Sequence, residues 1–379
     1  MLLGDMGAEV IKVEHHVTGD DTRSWGPPFT ADGSESAYFL GVNRNKKSVA
    51  VDLKRPEGIR VIHELAAKCD ILLENFVPGK ADELGFGYST IASVNPKLVY
   101  LSLSGYGSTG PRANHLAYDV MVSAVGGLMG ITGPKDGEPC KVGVAITDVC
   151  CGLVSQSAIL AALIARQRDG LGQHIETSLL DTQVACLANV ASAFLIGGVV
   201  TKPMGTAHQS IVPYQTFACG DSQRIVVGAL NNSQFVALCR ALELPIAHDE
   251  RFATNPQRVK HRVELIELLE KTFESHTSHE WVRRLDEQHV PCAPINTVED
   301  VFQDPQVVHN RRVIHVEHPT VGLLKMVAPP ATFYGTPYVE PMLPPPRLGE
   351  HTEMILRDVL GYTTDRIDLL KETKVVRGL

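Results

Sequence analysis

Asp148 closes the apolar run Gly143-Val-Ala-Ile-Thr-Asp148, where a long apolar stretch of helical character begins. An aspartate at that point has two readings. It can cap the helix, its side-chain oxygen accepting from the orphan N–H groups of the first turn. It can also face a cleft as a carboxylate held ionised by the positive end of the helix macrodipole, and then it is a usable nucleophile. Local sequence leaves both open. Other groups able to do chemistry are fewer than the composition suggests. The eight cysteines (Cys69, Cys140, Cys150, Cys151, Cys186, Cys219, Cys239, Cys292) contain no C-x-x-C pair, which argues against both a zinc framework and a secreted disulfide scaffold. Cys150 and Cys151 read as core residues of a helix. His276-Thr-Ser-His279 and His315-Val-Glu-His318 lack the spacing and third ligand of a zinc site and read as structural, so no metal is expected.

A formal net charge of −8 over 379 residues excludes nucleic acid as the main partner, because phosphate-backbone binding needs a concentrated basic face. A local cluster, Arg44 with Lys46 and Lys47, could still meet a small anion or could be a solvated surface. No signal peptide or Arg-rich transit segment is visible, and the longest apolar run, Val184 to Val200, is interrupted and lacks basic flanks. It reads as a buried helix, so no membrane is expected.

The elements that must position Asp148 alternate between strand and helix. Ala8–Glu14, Ser48–Asp52, Asp70–Glu74, Leu98–Ser102 and Gln173–Ser178 read as strands. Pro56–Lys68, Tyr118–Met129, Asp148–Arg168 and Leu179–Ile196 read as helices. That alternation predicts an α/β fold, a Rossmann-like, mainly parallel sheet in a large domain over 1–200. From about Thr216 a strand at Arg224–Leu230 and helices at Gln234–Glu243, Val263–Ser275 and His279–Gln288 predict a smaller α+β domain over 216–316. Residues 317–379, with Pro329-Pro330 and Pro344-Pro345-Pro346, read as a linker returning to the large domain and ending in a helix over Thr352–Leu360. Gly105-Tyr-Gly107-Ser-Thr-Gly110 spells a dinucleotide fingerprint after a strand, but Pro111 follows at once and no ribose-binding acid lies where one is needed. It reads as a glycine-rich loop.

Several blocks in order resemble the family III CoA-transferases: Gly4–Glu14, Gly19–Arg23, Asn43–Ser48 leading to Asp52-Leu-Lys54, Glu74–Gly79, Ser104–Gly107, Tyr118-Asp119, Gly127–Gly133, Asp148, Arg166–Gln173, Arg251–Asn255 and Leu348–Thr352. By that resemblance Asp148 is the nucleophile that forms an aspartyl-CoA thioester while one acid replaces another. Coenzyme A is then a substrate, with no further cofactor. The resemblance carries CoA contacts to Arg23, Lys54, Asn75, Phe76 and Tyr118. The partners it implies are an acyl-CoA, a free carboxylic acid and a second copy in an intertwined homodimer. Through Thr147–Asp181 and Gly205–Phe217 the likeness runs toward members that move CoA from succinyl-CoA to glutarate, which implies a mitochondrial location. His208 and Ser210 are candidates for the distal carboxylate of such an acid. The same fold supports 2-methylacyl-CoA racemases, but these pair the aspartate with a histidine where this chain has Tyr118. Relative to the family pattern the chain opens inside the first helix, so the first sheet strand is expected to be missing. A catalytically inactive CoA-binding protein is therefore the alternative from another class. The glycine run that closes over formyl-CoA sites is also absent, and Gly205–Ser210 stands in its place.

Overall fold

The computed structural model describes residues 1–335 and 341–379. Its contacts divide the chain into two units. Unit 1 comprises Met1–Val122, Ile146–Cys186 and Phe302–Leu379; unit 2 comprises Ser123–Ala145 and Leu187–Val301. Residues 123–145 and 187–200, read from the sequence as part of the 1–200 domain, thus cluster with unit 2, and 302–316 with unit 1.

Unit 1 carries the parallel sheet elements. Strands β1 (Val10–His15) and β2 (Lys46–Val51) pair in parallel, and so do β3 (Ile71–Glu74), β4 (Val99–Ser104) and β5 (His174–Ser178). β3, β4 and β5 form one three-stranded sheet, and β1 and β2 lie in a second, where a single sheet was expected. Their most buried stretches are Ser48–Val51 of β2 and Val99–Leu101 of β4, whereas β1 and β5 keep polar residues such as Lys12, Glu14, His174 and Glu176. The Pro56–Ala66 helix starts on a proline at its first turn, where the missing N–H costs nothing, and buries Val61, Ile62, Leu65 and Ala66. Gly58 lets that helix approach the strand end, since a Cβ there would lie 2.0 Å from the Asp52 carbonyl oxygen. The Ile146–Asp169 helix buries the stripe Thr147, Cys151, Ser155, Ile159 and Ala162, a spacing of four and three residues that keeps them on one face.

Unit 2 contains an antiparallel sheet, β6 (Tyr214–Ala218), β7 (Arg224–Gly228) and β8 (Cys292–Pro294). Its core is aromatic: Phe217, Phe235, Phe252, Phe273 and Trp281 are all buried. Arg258 is buried among them, donating to the carbonyls of Val212 and Phe252 and lying 4.4 Å from the centre of the Phe235 ring.

Four sequence expectations need correction. The helix expected over Tyr118–Met129 breaks into Asp119–Val125 and Leu128–Ile131 around Gly127, whose φ of 86° ends a helical run. The one expected over Leu179–Ile196 splits into Leu179–Cys186 and Ala188–Leu195, with Ala188 at φ 45°. Thr352–Leu360 does not end the chain's secondary structure. A helix at Thr364–Glu372 and strand β11 (Val376–Arg377) follow, and β11 adds antiparallel to β2; β9 (Val313–His318) and β10 (Gly322–Val327) form a hairpin before them. The proline-rich runs are packed rather than free: Pro329, Pro345 and Pro346 are buried.

The Arg44 cluster is internal, not an anion patch. Arg44 makes a bidentate pair with buried Asp5 at 2.9 and 2.6 Å and donates to the Val327 carbonyl, while Asn45 also donates to Asp5. Lys46 bonds Asn43, and Lys47 pairs with Glu9. Removing one partner of a buried pair strands the other charge in low dielectric. Arg44→Ala is therefore expected to lower unfolding stability by about 3–5 kcal/mol, whereas Lys47→Ala, at a half-exposed pair, costs less than about 1 kcal/mol. Chemical denaturation of both variants checks this, and equal losses would contradict the assignment.

Candidate active site

The start of the Ile146–Asp169 helix separates the two readings of Asp148. The backbone N–H groups of Thr147 and Asp148 both donate to Oδ2 of Asp119, at 2.8 and 3.2 Å. Asp119 opens the Asp119–Val125 helix. The capping carboxylate is thus Asp119, brought in from 29 residues upstream, and Asp148, within the first turn, makes no capping bond among the described residues. Thr147 is buried and fixed from its other side, its Oγ1 donating to Oε1 of buried Gln183 at 2.6 Å. Behind this turn lies a small core of Val122, Cys151 and Leu179, with Leu103, Tyr106, Ala117 and Leu180 packed on it.

Asp148 is exposed at the residue level, yet its carboxyl is raised above its ordinary pKa. Partial desolvation is the larger cause and the neighbouring Asp119 charge the second. The helix dipole alone would have pushed the other way, so local desolvation and like charge win. Such a carboxyl holds its proton more tightly folded than unfolded. It therefore subtracts stability near neutral pH, and the penalty vanishes as pH falls below both values.

Of the other sequence-predicted residues, Lys54, Asn75 and Phe76 fall just beyond the carboxyl ends of parallel strands, where open α/β sheets bind ligands. Lys54 follows β2 in a turn closed by its own N–H donating to Asp52; it is exposed and has no ion-pair partner among the described residues. Asn75 and Phe76 follow β3. Both are exposed, and the Phe76 ring meets Phe86 edge-on at 5.8 Å. Tyr118 is 62% exposed and directly precedes the capping Asp119, which ties it to the Asp148 turn. Arg23 is placed differently. Its guanidinium is bidentate to Glu14 at 2.8 and 2.8 Å, donates to the Pro346 carbonyl and stacks 3.8 Å from the centre of Phe39. Burial would raise the Glu14 carboxyl, but the bonds from Arg23 and Ser48 outweigh it and hold the group below the usual glutamate range. Arg23 thus serves the fold with most of its donors.

In unit 2, His208 stacks on Tyr214 at 5.5 Å and its Nδ1 accepts from the Ser210 N–H. It lines a cavity of about 180 Å³ with Lys202 and Gln209; Ser210 does not line it. The Gly105–Gly110 stretch runs into turns, not a helix, and a Cβ on Gly105 would lie 2.1 Å from the Ala117 Cβ. Its glycine is there for close packing. Asp119 is the residue the sequence reading did not single out, although it lay in a recognised block beside Tyr118; no spacing rule connects it to Asp148.

Parallel strands with loops at their carboxyl ends, and an aspartate at a helix start whose capping role another aspartate takes, define an α/β protein with a candidate carboxylate nucleophile. The chain belongs to CoA-transferase family III, whose family model matches residues 1–352. It is 48% identical over 377 residues to the human protein named succinyl-CoA:glutarate CoA-transferase, covering 99% of this chain and 85% of that one. It is 40% identical over 363 residues to the Agrobacterium fabrum succinate–glutarate CoA-transferase, covering 94% and 90%. Among solved structures, a CAIB/BAIF family protein from Brucella suis superposes with a TM-score of 0.82 at 40% identity, covering 95% and 93%.

Asp119→Asn keeps a capping acceptor while removing the charge beside Asp148. Its Asp148 carboxyl, followed by carbon-13 NMR titration, is expected to move down only part of the way to the ordinary value, because desolvation remains. An unmoved midpoint would contradict the coupling.

Proposed function

We propose that this chain moves CoA from succinyl-CoA to glutarate or a closely related dicarboxylate, with Asp148 as the nucleophile. The observation that carries the residue assignment is the division of labour at the helix start: Asp119 accepts N–H groups of the first turn, and the Asp148 oxygens have no hydrogen-bond partner among the described residues. The substrate pair rests on the names of the human and Agrobacterium relatives.

In this reading the Asp148 carboxylate attacks the thioester carbonyl of the donor. The C–S bond breaks, giving a mixed anhydride and CoA thiolate. The thiolate attacks the aspartyl carbonyl of that anhydride, releasing the donor acid and leaving an aspartyl-CoA thioester. The acceptor carboxylate then attacks the aspartyl carbonyl and expels the thiolate, which takes the acceptor's acyl group and restores the Asp148 carboxylate. No water enters, so the thioester energy is conserved. A raised pKa helps, because a more basic carboxylate is the better nucleophile once ionised. Lys54 would hold a CoA phosphate by charge, with Asn75, Phe76 and Tyr118 as contacts along the molecule. Arg23, committed to Glu14, would contribute through its remaining donors.

We further infer a homodimer. The Ile146–Asp169 helix is long and apolar enough to cross a bilayer by length and composition, yet one face is packed inside unit 1. Val149, Leu153, Val154, Leu160 and Ile164 remain exposed, a surface that a second copy would cover. A mitochondrial location belongs to the same reading and rests on resemblance.

Asp148→Asn, nearly isosteric, is expected to reduce CoA transfer from succinyl-CoA to glutarate by at least about 10³-fold while CoA binding stays within a few-fold. Retained transfer would overturn the assignment. Lys54→Ala is the cleaner test of phosphate contact than any Arg23 variant and should raise KM for the acyl-CoA without changing kcat. Sedimentation equilibrium in detergent-free buffer should give twice the chain mass; a monomer, or a species soluble only with detergent, would contradict the dimer.

A further inference from the structure

A second basic site lies at the carboxyl edge of the β1–β2 sheet. His16 follows β1 directly, and Val376, the first residue of β11, pairs with Val51, the last of β2. Between them lies a cavity of about 340 Å³ lined by His16, Lys371, Lys374 and Arg377, with Val17 and Gly378 completing its wall. Four basic side chains around one cavity stand out in a chain of net charge −8.

Their existing partners leave most of that charge unspent. Lys371 donates to Glu353 at 2.5 Å, and this is the only carboxylate paired with the group among the described residues. Arg377 gives one Nη1 bond to the Val17 carbonyl at 3.2 Å and keeps its other donors. Lys374 has no side-chain partner among the described residues. The Nδ1 of His16 is buried and has no hydrogen-bond partner among the described residues. A plain structural account covers only part of this: Lys371 and Lys374 lie at the carboxyl end of the Thr364–Glu372 helix, where cations complement the dipole. It does not explain Arg377.

We propose that this cavity binds the dianion of a phosphate monoester. Several convergent donors and more than one net positive charge suit a phosphate better than a single carboxylate. The site adjoins the loop that carries Lys54, since the Asp52 N–H donates to the Val375 carbonyl at 2.8 Å. Two sources share this chemistry: a free phosphorylated metabolite, or the 3′-phosphate of CoA itself. The inference does not depend on the role given to Asp148.

Inorganic phosphate titrated into the full chain at low ionic strength, with chloride at matched ionic strength as the control, should bind saturably by calorimetry. Lys374 sits at φ 58°, a backbone conformation glycine adopts freely, so Lys374→Gly removes the ammonium without threatening the fold. It should weaken phosphate at least about tenfold with an unchanged melting temperature, and Arg377→Gln should do likewise. No saturable binding beyond chloride, or wild-type affinity in both variants, would overturn the site. If Lys374→Gly weakens CoA but not 3′-dephospho-CoA, the phosphate is the one CoA carries. If both are bound as before while inorganic phosphate is lost, a separate phosphate monoester is the ligand.

Discussion

The chemistry proposed for this chain depends on one carboxylate taking over another's work. A helix start leaves backbone N–H groups unsatisfied, and an aspartate placed there is ordinarily absorbed by them. Here Asp119 meets that demand through space, with Oδ2 accepting from both Thr147 and Asp148. The same contact sets two negative charges close together and, with desolvation, raises the Asp148 carboxyl. Stability is given up at this point, in keeping with the nucleophilic role proposed for Asp148. The small core of Val122, Cys151 and Leu179 and the Thr147–Gln183 bond hold the turn in place despite the repulsion.

The rest of unit 1 places the groups proposed to meet CoA on loops rather than on strands. Parallel pairing sends the carboxyl ends of β1 and β2, and those of β3 and β4, in a common direction within each sheet, and Lys54, Asn75 and Phe76 sit just beyond such ends. Charges that might have competed for an anion are largely neutralised internally. Arg44 is locked to Asp5 and Arg23 to Glu14, both as bidentate pairs. What remains unpaired there among the described residues is therefore informative: Lys54 on one loop, and Lys374 with the remaining donors of Arg377 near the chain's end.

Much of the fold was legible because its signals are local. The strands at Val10, Lys46, Ile71, Val99 and His174, and the helices opening at Pro56 and Ile146, lie within a few residues of their sequence-based bounds. Apolar periodicity and a helix-starting proline suffice for that. What periodicity could not show was where a continuous apolar run breaks. Gly127 and Ala188 interrupt two helices through positive φ, and an alanine gives no warning of that. Nor could composition distinguish an exposed basic cluster from a buried one, as Arg44 illustrates, because its partner Asp5 is 39 residues away. Asp148 stood out by its position, but its environment did not: Asp119 is joined to it by folding alone. The unsatisfied His16 nitrogen likewise has no sequence signature.

Oxygen transfer to Asp148 tests the central claim most directly. If the acceptor carboxylate attacks an aspartyl thioester and the thiolate then opens the anhydride at the acceptor's own carbonyl, one acceptor oxygen remains on the aspartate. Turnover with succinyl-CoA and glutarate labelled with oxygen-18 in its carboxylates should therefore raise the mass of the peptide containing Asp148 by about 2 Da per labelled oxygen, with no label at Asp119. Transfer of CoA to glutarate while the Asp148 peptide keeps its original mass would contradict the account.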